Sequence, residues 1–135
     1  MQRSKKVLVV EDDKGINELV FYNLKKEGFL VRQAFDGCQA EKIIAEEDGF
    51  DIVILDIMLP FKDGFELCRQ IKEGGDAYRT FVIIISAKGA PQDKLYAHLL
   101  GADYYLAKPF SIKALLSIVR ELDNIKKGDF LIKRR

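Results

Sequence analysis

The chain has 135 residues, a length that fits one globular domain with a substantial core. Its composition, 48% hydrophobic and 32% charged, is typical of folded proteins and argues against disorder. A formal net charge of +1 provides no overall field that would attract nucleic acid or an anionic membrane. The two cysteines, Cys38 and Cys68, lack the close spacing of a metal or redox pair, and the first apolar run is too short for a signal peptide or a membrane span. Together these features favour a cytoplasmic protein.

Short apolar runs alternate with amphipathic segments along the chain. Residues 6–10 form a β-branched run without polar alternation, which predicts a strand buried on both faces. Residues 14–27 predict a helix that ends at Gly28. Its apolar positions at helical spacing are Ile16, Leu19, Val20 and Leu24. The same patterns predict further strands at 29–35, 51–55, 80–85 and 103–106, and further helices at 39–47, 65–73, 91–100 and 112–125.

Strict alternation of buried strands and helices predicts a parallel sheet, because parallel strands need long crossovers and these are usually helices. We therefore predict an α/β fold of the flavodoxin-like (βα)5 type, a doubly wound parallel sheet with strand order 2-1-3-4-5. In this order the first and third strands are neighbours at the point where the order reverses. One domain is expected over residues 1–127, followed at 128–135 by a basic tail or the start of a linker.

Polar side chains stand at the ends of four predicted strands. In chain order they are Glu11 with Asp12, Asp56, Ser86 and Lys108. Because the carboxyl ends of parallel strands share one edge of the sheet, these side chains are expected to converge although they lie far apart in sequence.

The three carboxylates would repel one another, so a site that keeps them ionised is expected to hold a cation. Oxygen ligands without histidine or cysteine favour Mg²⁺, with Mn²⁺ able to take its place, over zinc. A carboxylate beside such a metal can also act as a nucleophile and form an acyl phosphate. Ser86 could then donate a hydrogen bond to phosphoryl oxygens, and Lys108 could neutralise their charge.

Four segments carry a family resemblance. They are VVEDD at residues 9–13, ILDIMLPFKDG at 54–64, ISAK at 85–88 and GADYYLAKPF at 101–110. In this order, at compatible strand ends, they resemble the receiver domain of two-component response regulators, in the CheY-like superfamily.

The resemblance implies that Asp56 accepts a phosphoryl group, in a Mg²⁺-dependent reaction, from a sensor histidine kinase or a phosphotransfer protein. It also implies that the metal is held by Asp12, Asp56 and the backbone carbonyl of Met58, and by Glu11 directly or through water.

Further roles follow from the same resemblance. Ser86 would contact the phosphoryl oxygens, and Lys108 would sense their charge. Tyr105, three positions before the lysine, would act with Ser86 as the switch. The Lys108-Pro109 peptide bond is expected to be cis.

Three functions stay open. In the first, phosphorylation switches the surface of the fourth helix, fifth strand and fifth helix, which controls a partner or output domain, and the chain catalyses only its own phosphorylation and dephosphorylation. In the second, a degenerate receiver, or one belonging to a hybrid kinase, acts by protein binding. The third is a Mg²⁺-dependent phosphatase of the haloacid dehalogenase type.

Met58 bears on two of these functions. The phosphatase chemistry needs an acid or base two residues after the nucleophile, and a thioether at that position cannot protonate a leaving group. The same side chain cannot orient a hydrolytic water, so slow loss of the phosphoryl group is expected. Neither membrane contact nor direct nucleic-acid binding is expected.

Overall fold

The computed structural model describes residues 5–47, 49–73, 80–87 and 91–125. Within them, five strands form one parallel sheet in the order β2-β1-β3-β4-β5, which confirms the predicted flavodoxin-like topology. The strands are β1 (Lys6–Val10), β2 (Leu30–Ala34), β3 (Ile52–Asp56), β4 (Phe81–Ser86) and β5 (Tyr104–Ala107). The helices are α1 (Lys14–Lys26), α2 (Gly37–Glu46), α3 (Gly64–Glu73), α4 (Pro91–Leu99) and α5 (Ile112–Asp123).

Two apolar layers cover the two faces of the sheet. Alternate residues of β1 point to opposite faces, so that Leu8 and Val10 join one cluster while Val7 and Val9 join the other. The first cluster includes buried residues of α2, α3 and α4, and the second includes buried residues of α1 and α5. The sheet is therefore wound on both sides, as the continuous apolar strands predicted.

Side-chain caps set where several helices begin. Asp13 and Ser111 accept hydrogen bonds from the backbone N–H groups three residues ahead, at 3.0 Å each, and begin α1 and α5. α2 begins two residues earlier than its apolar spacing indicated, because Asp36 caps it and accepts from the Gln39 N–H at 2.7 Å. The Gln39 side chain in turn accepts from the Phe35 N–H at 2.8 Å.

Within the described ranges, none of the helices combines the length and the apolar character needed to cross a lipid bilayer. The basic tail expected at 128–135 lies outside the described residues.

The end of β3 and the start of α3 approach each other closely. The Gly64 N–H donates to the Ile57 carbonyl oxygen at 3.1 Å. A Cβ added to Gly64 would overlap the Ile57 Cα and lie 2.5 Å from the Asp56 carbonyl oxygen. Because these are backbone atoms, an alanine at this position would push α3 away from the strand that ends in Asp56.

We expect Gly64→Ala to lower the free energy of unfolding by about 2 kcal/mol, since overpacking against fixed backbone is destabilising. Gly15→Ala is the matched control, because its Cβ would meet only Asp13 Oδ1, at 3.4 Å, on α1. The control should be neutral or slightly stabilising. Urea unfolding followed by circular dichroism measures both variants, and equal stabilities would contradict the close approach.

Candidate functional site

Three carboxylates meet at the carboxyl edge of the sheet. β1 and β3 pair in register, with Val10 opposite Leu55, so that Glu11 and Asp56 come next on adjacent strands. One carboxylate oxygen from each of Glu11, Asp12 and Asp56 can be chosen so that all three lie within 4.8 Å of one another. Glu11 and Asp56 are buried and Asp12 is exposed, so the cluster opens towards solvent on one side. The convergence expected from the strand ends is therefore present.

Lys108 extends between two of these acids. Its Nζ lies 2.8 Å from Glu11 Oε1 and 2.9 Å from Asp56 Oδ2. Its backbone N–H donates to the Ser86 carbonyl oxygen at 2.8 Å, which ties the end of β5 to the end of β4. The Lys108-Pro109 bond is cis, as expected. Burial lowers the pKa of Lys108, but hydrogen bonds to Glu11 and Asp56 outweigh this effect and raise it above its ordinary value.

Both oxygens of Asp56 are held in place. Oδ2 faces Lys108, and Oδ1 accepts from the Met58 N–H at 2.9 Å. The Asp56 side chain is only 4% exposed, whereas Met58, two positions further along, is 55% exposed. The carboxylate is thus fixed inside the site, and the Met58 side chain lies at its rim. Metal ligation by the Met58 carbonyl stays a prediction.

Glu11 is a buried carboxyl with a raised pKa. Burial raises its pKa to about 7, the charge of Asp56 adds to this effect, and hydrogen bonds from Lys108 and the Asp13 N–H oppose it. The Asp13 N–H donates to Glu11 Oε2 at 2.9 Å. The cluster holds three carboxylates, and the Lys108 ammonium contacts two of them. A divalent cation between the three carboxylates would supply the missing positive charge, and their oxygens suit Mg²⁺ or Mn²⁺.

Ser86 and Tyr105 lie together on neighbouring strands. Ser86 is fully buried, and the Tyr105 side chain is hydrogen-bonded to it. Burial raises the pKa of the Tyr105 hydroxyl above its ordinary value, and this effect outweighs the hydrogen bond with Ser86, which acts in the opposite direction. The ring is half-buried and packs against the cluster that includes α2, α3 and α4. The predicted switch pair is therefore in contact, while its switching stays a prediction.

Asn17 supports the site and was not predicted from the sequence. Fully buried on α1, its side-chain amide donates to the carbonyl oxygens of Glu11 at 2.9 Å and of Ala34 at 3.0 Å, and accepts from Gln33 Nε2 at 2.9 Å. It thus fixes the backbone of Glu11 against the end of β2. The sequence feature that indicates such a role is an amide side chain next to Ile16 and Val20 on the apolar face of the helix.

Replacing Lys108 with methionine should expose how much it stabilises the two buried acids. Without divalent cations, we expect Lys108→Met to lower the free energy of unfolding by about 2 kcal/mol, a value reduced from that of a fully buried pair because the lysine is partly exposed. Adding Glu11→Gln should restore part of the loss, because it leaves Asp56 as the one buried acid without the ammonium. Lys42→Met, at an exposed position on α2, is the control. A loss no larger than that of the control would contradict the charge balance described above.

Comparison with known proteins identifies the family of the chain. A family model described as the response regulator receiver domain matches residues 7–120, which is most of the chain. The solved receiver domain of the Francisella response regulator 1452 is 34% identical, with a TM-score of 0.80, over 88% of this chain and 96% of that one.

Two further structures show the same likeness. The chemotaxis response regulator CheY4 of Vibrio cholerae is 28% identical, with a TM-score of 0.81, over 89% of this chain and 99% of that one. The response regulator DrrB of Thermotoga maritima, an OmpR/PhoB homologue, is 33% identical, with a TM-score of 0.78, over 98% of this chain but only 55% of that one. By fold and by sequence, the chain belongs to the response regulator receiver domain family of two-component systems, of which phosphorylation is characteristic.

Proposed function

We propose that Asp56 accepts a phosphoryl group from the phosphohistidine of a sensor histidine kinase or a phosphotransfer protein. The observation that carries this proposal is the position of the Lys108 ammonium, 2.9 Å from Asp56 and 2.8 Å from Glu11, beside a cluster of three carboxylates. Receiver domains are signalling switches, and we propose that this chain catalyses only its own phosphorylation and dephosphorylation.

Transfer would form a bond between an Asp56 oxygen and phosphorus and break the bond between the donor's imidazole nitrogen and phosphorus. Lys108 would then neutralise phosphoryl oxygens, and the Met58 N–H would keep the other carboxylate oxygen in place. Mg²⁺, with Mn²⁺ as a substitute, would be held by Glu11, Asp12, Asp56 and the Met58 carbonyl. When bound, it supplies positive charge to the transferring group and aligns it with the carboxylate.

The expected output is a change at the surface of α4, β5 and α5. Ser86 could move towards the new phosphoryl oxygens, and because its side chain is bonded to Tyr105, the ring would respond. Exposed leucines already lie on α4, where Leu95 is 58% and Leu99 71% exposed. Phosphorylation would shift a pre-existing equilibrium between arrangements of this surface and so control its binding to a partner.

The output could lie in another protein or in a fused domain. The match to DrrB, which spans only 55% of that chain, supports a fused domain as one arrangement. We propose that the receiver occupies residues 1–127, that 128–135 form a tail or linker, and that the protein works in the cytoplasm. A degenerate receiver, including one within a hybrid kinase, is the second candidate. The phosphatase alternative is disfavoured by Met58, which offers no acid or base at the rim of the site.

Acetyl phosphate labelling tests the proposal directly. We expect intact mass to show one added phosphoryl group on the parent chain when Mg²⁺ is present, and none without Mg²⁺ or with Asp56→Ala. Asp13→Asn keeps the cap of α1 and should label like the parent. Asp12→Asn should need about tenfold more Mg²⁺, equivalent to about 1.4 kcal/mol of binding. A folded parent that gains no phosphoryl group under any condition would favour the degenerate module.

The lifetime of the phosphoryl group is a separate prediction. The Met58 side chain lies at the rim of the site but cannot orient a water molecule, so hydrolysis should be slow. We expect Met58→Asn to lose its phosphoryl group about tenfold faster, since an amide can hold the attacking water. Decay of the labelled mass over time measures this, with Met58→Leu as the apolar control. Equal lifetimes for the asparagine variant and the parent would contradict the role given to Met58.

A further inference from the structure

Phe61 has an unusual conformation for a bulky residue. In the loop between β3 and α3 it adopts a φ of 70°, in the left-handed region that disfavours side chains with a Cβ. Its side chain is nevertheless 84% exposed, and within the described part of the chain it belongs to neither apolar cluster. The backbone at Phe61 is therefore strained, and packing of the ring in the core does not compensate for that strain.

Contacts with α2 and α3 hold the loop on both sides of Phe61. The Pro60 carbonyl accepts from the Gly37 N–H at 3.4 Å, and Lys62 Nζ lies 2.8 Å from Glu41 Oε2. Lys62 packs so closely over α2 that a Cβ at Gly37 would overlap its own Cβ. Asp63 accepts from the Phe65 N–H at 2.8 Å at the start of α3. The ring is therefore presented to solvent by a well-anchored loop.

The same loop begins at the proposed phosphoacceptor. Phe61 is five positions after Asp56, so their Cα atoms lie within about 18 Å of each other. Met58, between them, is also exposed. Because the Asp56 side chain is only 4% exposed, a phosphohistidine must be brought into the site, and the surface around that histidine must come close to the rim.

We propose that Phe61, together with Met58, is an apolar anchor for the protein phosphodonor, and that it contacts an apolar patch beside the donor's phosphohistidine. This inference rests on the proposed function. An exposed aromatic side chain on a fixed loop is the kind of residue that dominates the energy of a protein interface, because it brings a large contact area and loses little conformational freedom. Acetyl phosphate is too small to use such an anchor.

The test compares two phosphodonors on the same variants. Phe61→Asn removes the ring but keeps a residue that tolerates positive φ, and Phe61→Tyr keeps the ring. Leu30→Ala removes an exposed apolar side chain at the opposite, amino-terminal edge of the sheet and is the matched control. Each protein receives phosphoryl groups either from acetyl phosphate or from a histidine kinase, chosen from a panel of autophosphorylated cytoplasmic kinase domains because it labels the parent.

We expect Phe61→Asn to accept phosphoryl groups from the kinase at least tenfold more slowly, and from acetyl phosphate at the parental rate. Its melting temperature should be equal to or above that of the parent, because the strained backbone is relieved. Phe61→Tyr and Leu30→Ala should match the parent with both donors. This combination, slower transfer without lower stability, separates docking from a structural role.

Other outcomes would overturn the inference. Parental transfer from the kinase to Phe61→Asn would show that the ring is not an anchor, and an equal loss with both donors would place its effect in the site itself. A parent dimer in sedimentation that Phe61→Asn abolishes would assign the ring to a second copy of the chain. Labelling of the parent by acetyl phosphate but by no kinase would reject a protein donor. If acetyl phosphate failed to label the parent, that result would instead contradict the proposed function itself.

Discussion

One lysine ammonium shared by two buried carboxylates is the interaction on which the site depends. Burying Glu11 and Asp56 side by side is unfavourable, and Lys108 offsets that cost only if three strand ends stand at matching heights. β1 and β3 supply the acids, and the chain just after β5 supplies the lysine. β4 must lie between β3 and β5, which is why Ser86 joins the same edge. The charge balance of the site therefore depends directly on the parallel register of the sheet.

This balance also explains why the site would respond to phosphorylation. A phosphoryl group on Asp56 adds negative charge where a single lysine already faces two acids, so the hydrogen bonds around it would have to be redistributed. Ser86, which is buried and hydrogen-bonded to Tyr105, stands at the end of the neighbouring strand β4. Asn17 holds the Glu11 backbone on the other side and leaves that end of the site with little freedom.

The sequence was sufficient for the topology and for the convergence of the site, because buried β-branched runs and polar strand ends are local signals with a fixed meaning in a parallel sheet. The sequence was less informative about the burial and conformation of residues whose hydrogen-bonding or packing partners lie in distant segments of the chain. Leu19 shares the helical spacing of α1, yet it is 51% exposed, whereas Asn17 is buried because carbonyl groups of two strands meet it. The positive φ of Phe61 likewise depends on a loop held against α2, which spacing along the chain cannot reveal.

The two apolar layers divide the molecule into separable packing units. Tyr105 packs with the layer that includes α2, α3 and α4, and its neighbour Tyr104 packs with the layer that includes α1 and α5. Only the strands belong to both layers, and their side chains alternate between them. A rearrangement around α4 can thus proceed while the α1 and α5 side keeps its contacts. Substitutions in one layer should then be nearly additive with substitutions in the other in their effect on the free energy of unfolding, whereas the proposed output surface, which spans α4 and α5, draws on both layers.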